Sequence, residues 1–194
     1  MMGAHIEPRT TLHPLLQAAS NEPHMTRGDG EMADDTLTLT TFYTAWKAYQ
    51  ERLAAAVGPL TAEQLALRAA PGLRSIGETA AHIIGCRVGW FTITLGEDVG
   101  ADVRAVPWEE LGGPAQSAAE LVRGLDRTWQ MMTECLTRWS PADMEQTVPD
   151  DWDGQHVELS RAWIVWHVLE HDLHHGGEIS LVLGVFGLQA GFTS

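Results

Sequence analysis

The sequence predicts an all-α fold: a four-helix bundle with a long crossover connection, plus an irregular N-terminal arm. Three observations carry this. Four stretches repeat apolar residues at three- and four-residue spacing. Ser75 with Glu78, and Ser117 with Glu120, have the spacing of the reciprocal capping box that opens a helix. No alternation of strands with helices appears, so the apolar faces must bury against one another.

The first helix is expected from about Thr36 to Val57, with Leu39, Phe42, Tyr43, Trp46, Tyr49 and Leu53 on one stripe and Gly58-Pro59 as its stop. A short segment, Thr61 to Leu67, adds a turn or two. The second helix starts at the Ser75 cap and runs through Trp90 to about Leu95. A crossover bearing Gly and Pro follows, Gly96 to Pro114. Ser117 opens the third helix, which runs to about Trp139 and stops at Pro141. The linker from Pro141 to Leu159 has room for at most a short hairpin. Ser160 caps the last helix, Arg161 to about Phe186.

Residues 1–33 lack helical periodicity and the basic start and apolar core of a signal peptide. They are read as an arm or extension, with Met25 and Met32 as alternative starts, and residues 34–194 as the bundle domain. No role is given to His5, His13 or His24.

A domain of this length buries a core without disulfides or structural metal, so a bound metal is expected to be functional. The formal charge of −14 repels phosphate backbones and anionic lipid, which argues against nucleic-acid and membrane partners. No apolar run reaches the roughly 18 residues of a membrane span. Cys86 and Cys135 form no paired motif, and a reducing, cytoplasmic setting is expected.

The informative segment is WHVLEHDLHHGGEIS, which places His167, His171, His174 and His175 on one helix. At about 100° per residue, His167, His171 and His175 advance by roughly 40° each, and His174 and Glu178 fall in the same sector. Ile164 and Val182 share that sector, so the face is expected to point inward. A buried row of imidazoles needs partners. A metal ion supplies them, since side chains four apart lie about 5–6 Å from each other. Both His167 with His171 and His171 with His175 have this spacing, and a third ligand must come from another helix. His82, in ETAAHIIGC, is the other histidine in an expected helix, and its small neighbours let two helices approach. Three nitrogens leave coordination positions open, the catalytic rather than the structural pattern.

Trp46, Trp90, Trp129, Trp163 and Trp166 are read as core by default, with Trp90 placed to wall a site two turns beyond His82. Cys86 is read as a small buried hydrophobe or a fourth ligand. Trp108 and Trp152, in loops, are expected to cover a pocket or pack in a dimer.

From about Leu37 to Leu188 the chain resembles the DinB-like superfamily, which includes the metal-binding domain of mycothiol-dependent maleylpyruvate isomerase. The resemblance lies in LTAEQLALRAAPGLRSIGETAAHI, Trp90-Phe91, SPADMEQTV and ELSRAWIVWHVLEHDLHHGGEIS. It implies a metal triad of His82, His171 and His175. The position of His171 is Glu in the isomerase branch, which suits a ligand and argues against His167. Two departures, Arg87 where many relatives have an acidic residue and Gly176-Gly177-Glu178 in place of Arg-Gly-Gln, bear on substrate contacts. The resemblance also implies zinc, nickel or iron as the ion and a small-molecule partner. A low-molecular-weight thiol then serves as cosubstrate of a transferase or isomerase.

Two rivals stand beside this reading. One is a non-catalytic metal- or ligand-binding stress-response module, with homodimerisation as an expectation. The other is a zinc hydrolase built on His167-Val168-Leu169-Glu170-His171, the HxxEH pattern. Only 23 residues follow His171, too few for the distant acidic ligand of such peptidases. A di-iron carboxylate site would need paired ExxH segments, which the helices lack.

Overall fold

The computed structural model describes residues 32–108, 115–152 and 154–188, and the side chains of residues 32–42 and of Trp152 lie outside the description. The chain divides into two compact units, residues 1–40 and 41–194. Most of the arm, the side chains of Leu39 and Phe42, and residues 109–114 of the crossover are outside the described residues.

Four long helices carry the core, as the periodicity requires. Helix α1 spans Met32–Val57, four residues longer at its start than the pattern suggests. The short α2, Ala62–Leu65, is capped by Thr61 with Gln64. Helix α3, Ile76–Arg87, opens on the Ser75–Glu78 capping box. The Glu78 amide donates to Ser75 Oγ at 3.2 Å, and the Ser75 amide donates to Glu78 Oε2 at 2.8 Å. From Val88 to Thr94 the same rod continues as a π-helix, closed by the Leu95 amide on the Trp90 carbonyl at 3.0 Å. Apolar spacing carries no signal for that wider turn.

The crossover holds a single short helix among the described residues, α4, Ala101–Arg104. Trp108 is a correction to the sequence reading. It is buried, donates from Nε1 to the Val103 carbonyl at 2.8 Å, and lies against Gly124, where an added Cβ would be 2.8 Å from its ring. It therefore packs into the core, and the cavity it lines lies between the crossover and the helix of Gly124 rather than at the cleft beside His82.

Helix α5, Ala118–Arg138, has the Ser117–Glu120 capping box. Pro141 does not simply stop the chain, because it occupies the first turn of α6, Pro141–Met144, capped by Ser140. There the missing amide costs nothing. The linker then forms an antiparallel hairpin, β1 Thr147–Trp152 and β2 Gln155–Ser160, pairing Val148 with Leu159 and Asp150 with Val157. Gly154, at φ 73°, makes the turn. Helix α7, Arg161–Val185, follows directly from its Ser160 cap.

The core draws on all four long helices, with Trp46 and Leu53, Ile83 and Ile84, Leu121 and Leu125, and Val168 and Ile179 among its members. Helix α3 packs against both α5 and α7, which is what brings His82 to the histidine stripe. Trp166 departs from its core reading: it is 57% exposed, because its position on α7 points away from the buried sector.

Helix α7 also has a steric signature beside the stripe. An added Cβ at Gly176 would lie 2.0 Å from Tyr49 Oη, whereas one at Gly177 would meet nothing within 4 Å. Gly176→Ala is expected to cost about 1–3 kcal/mol by overpacking, and Gly177→Ala to gain up to about 1 kcal/mol from helix propensity. Urea unfolding of the two variants measures that contrast.

Candidate metal centre

The buried sector of α7 is centred on Asp172, with Val165, Val168, Ile179 and Leu183 around it. The histidines run along its flank, so the inward face expected for all of them is corrected by degrees. His175 is buried, His171 and His167 are partly buried, and the His174 side chain is 64% exposed.

Across the helix interface, His171 Nε2 lies 3.1 Å from His82 Nε2. The ring centroids of His82, His171 and His175 are 4.7, 4.7 and 4.3 Å apart. One donor nitrogen from each ring falls within 4.8 Å of the other two. Two nitrogens bound at about 2.1 Å to one ion, at roughly 90–110°, are about 3.0–3.4 Å apart, so the His82–His171 spacing suits a shared cation. The three residues of the sequence triad are thus brought together. His167 is not: its ring centroid is 6.2 Å from that of His171, and it stacks on Trp163 at 5.0 Å and 7°.

The third ring is oriented from behind. Glu178 Oε2 lies 2.7 Å from His175 Nδ1, which assigns the proton to Nδ1 and leaves Nε2 with its lone pair. Partial burial pushes the Glu178 carboxyl up, but its hydrogen bond and charge contact with His175 hold it below the usual range. Glu178 shares the stripe's sector, but its role as the partner of His175 was not legible from spacing.

His171 Nδ1 is buried without a hydrogen-bond partner among the described residues. Burial, and then the neighbouring His175 and His82 rings, pull His171 down to about 3. Burial, and then Arg74, pull His82 down to about 4. Both rings are therefore neutral across the physiological range, the form in which imidazole can ligate a metal. In the metal-free chain the unfolded state takes up these protons near pH 6.5 and the folded state only below about 4. Stability is whole above pH 6.5 and falls as the pH drops from there, by at most about 1.4 kcal/mol per pH unit for each ring. Urea unfolding of chelator-treated protein between pH 7.5 and 5 is expected to show this decline, and His171→Ala to show a shallower one.

His82 and His171 open on a cleft of about 450 Å³ that Cys86, Trp90, Ile93, Asp150 and His167 also line. Trp90 does wall the site, with its ring centroid 5.3 Å from His167 and 5.7 Å from Trp163. The π-helical turn lets Gly89, Trp90, Ile93 and Thr94 all reach this side; such turns recur at functional sites. Cys86 lines the cleft but is buried and belongs to no cluster of ligand atoms near enough for one ion among the described residues.

Arg87 does not line the cleft. It is fully buried, and its fork grips Asp172 through Nε at 3.0 Å and Nη2 at 2.7 Å. Nη2 also reaches Gln50 Oε1 at 2.8 Å, and Nη1 reaches the Leu125 carbonyl and Thr128 Oγ1, both at 3.2 Å. Trp46 Nε1 donates to Asp172 Oδ2 at 2.9 Å. Arg87 follows His82 by five residues and Asp172 follows His171 by one, so the pair ties α3 to α7 at the level of the triad.

The profile of the DinB superfamily matches residues 45–179, a span that includes all three histidines. The chain belongs to the DinB superfamily. A crystal structure of a DinB-like protein from Bacillus cereus ATCC 10987 superposes with a TM-score of 0.61 at 21% identity, covering 79% of this chain and 95% of that one. At that identity the likeness establishes the DinB fold alone. No curated protein matches the chain. Among the described residues, no helix of this DinB protein is long and apolar enough to cross a membrane.

Proposed function

We propose that this DinB protein holds one divalent ion, zinc, nickel or iron, on His82, His171 and His175, and uses it with a low-molecular-weight thiol to transfer to, or isomerise, a small electrophile. The observation that carries the reading is the 3.1 Å approach of His82 Nε2 to His171 Nε2 at the edge of an open cleft. An ion bound there would favour the deprotonated form of a thiol or water presented to it.

The chain's own residues do the rest. Glu178 holds the His175 ring by Nδ1 and keeps Nε2 available. Desolvation keeps His82 and His171 neutral. Trp90 walls one side of the cleft and Ile93 stands at its rim, while the triad draws no fourth ligand from the described residues and so leaves room for substrate.

The inverted peptidase pattern finds no support in this geometry. The Glu170 side chain is 62% exposed and lies 3.8 Å from His167, a ring outside the triad. The test of the thiol reading is turnover of an aryl halide electrophile by metal-loaded protein with mycothiol, bacillithiol or glutathione. A rate above the metal-free control with at least one thiol is expected. The same slow rate in both forms with all three overturns it and favours the non-catalytic binding module.

A further inference from the structure

The geometry points to a cation-recognition subsite in the cleft beside the triad: Asp150, held on the hairpin, selects small ligands that carry a protonated amine on an aromatic or apolar body. This deepens the proposed function, resting on the reading that the cleft is the substrate side of the metal centre.

Three observations converge on it. Histidines aside, Asp150 is the one acidic or basic residue among the described residues that line the cleft. Arg74, the cation whose charge is felt by His82, is not part of that lining. An ion on the triad would itself draw anions to the metal side of the cleft, whereas a ligand group that reaches Asp150 meets a negative charge that pairs an ammonium and repels a carboxylate or phosphate.

The carboxylate is also positioned. Asp150 sits in β1 opposite Val157, and its Oδ1 accepts the Asp151 amide at 2.7 Å, which restrains the side chain. It is partly buried, so its field is less screened than that of a fully exposed carboxylate.

The remaining wall suits the body of such a ligand. Trp90 offers an aromatic surface, Ile93 is 78% exposed at the rim, and Cys86 and Gly89 add small residues to the lining. An aromatic wall beside a carboxylate is the usual chemistry of ammonium recognition, and about 450 Å³ lies within the range of small-ligand sites.

The experiment is calorimetric titration of the metal-loaded full chain at pH 7.5 with phenethylamine and with its uncharged isostere 2-phenylethanol. Phenethylamine is expected to bind about 5–10-fold more tightly, as one partly screened charge pair allows. Asp150→Asn, which keeps an acceptor for the Asp151 amide, is expected to abolish the difference. Asp151→Asn, a change at the exposed neighbour, is expected to preserve it. Equal binding of the two probes, a preference that survives Asp150→Asn, or no binding of either probe each overturns the subsite. None of these outcomes bears on thiol turnover, which fails or succeeds separately in the aryl halide assay.

Discussion

Arg87→Met is expected to remove about 3–5 kcal/mol of folding stability. The substitution leaves the Asp172 carboxylate fully buried with Trp46 Nε1 as its remaining side-chain donor, and an uncompensated buried charge is far costlier than the pair is worth. The Leu125 carbonyl and Thr128 hydroxyl also lose a donor. The double change Arg87→Met with Asp172→Leu removes both charges and is expected to recover most of the loss. About 1–3 kcal/mol should remain, because Trp46 Nε1 then has no acceptor. Urea unfolding of the four proteins in this cycle checks it. Strict additivity of the two single changes would show that the fork does not couple α3 to α7.

If the proposed triad holds the ion, His171→Ala is expected to weaken metal binding by more than the roughly 10–100-fold that loss of an outer partner such as Glu178 would cost, because it would remove one of the three ligands. With metal at about 100 times the wild-type Kd, the wild-type chain gains about 2.7 kcal/mol of stability and the variant gains nearly none. The metal-free variant should fold as well as the parent, since the lost ring is desolvated and its Nδ1 is unsatisfied. His167→Ala and His174→Ala are the informative controls. Each is expected to keep metal affinity within a few-fold, whereas an ion seated on the HxxEH pair would be lost with His167. Thermal unfolding with and without added zinc reads all three variants.

The sequence went far for the parts of the fold that local chemistry decides. Ser75, Ser117 and Ser160 mark helix starts because a hydroxyl at that position satisfies an orphan amide, and all three caps are present. The spacing of His171 and His175 needs only helix geometry to become a pair. What stayed out of reach depends on contacts between distant segments. The Arg87–Asp172 fork joins residues 85 apart; read alone, Arg87 bore on substrate contacts, and Asp172 carried no reading at all. Trp108 looked like a loop aromatic because its place depends on Gly124 of α5. The histidine stripe crosses the border between the core and water, and spacing cannot say on which side His174 falls. The π-helical turn around Trp90 likewise leaves no mark in apolar periodicity, yet it shapes the cleft.

The most direct measurement is X-ray absorption on protein purified without a histidine tag and loaded with one equivalent of zinc. It should give three imidazole scatterers at about 2.0–2.1 Å together with at least one lighter ligand that a thiol replaces by sulfur near about 2.3 Å. A spectrum with fewer than three imidazoles, or one unchanged in His82→Ala, would contradict a centre shared between α3 and α7.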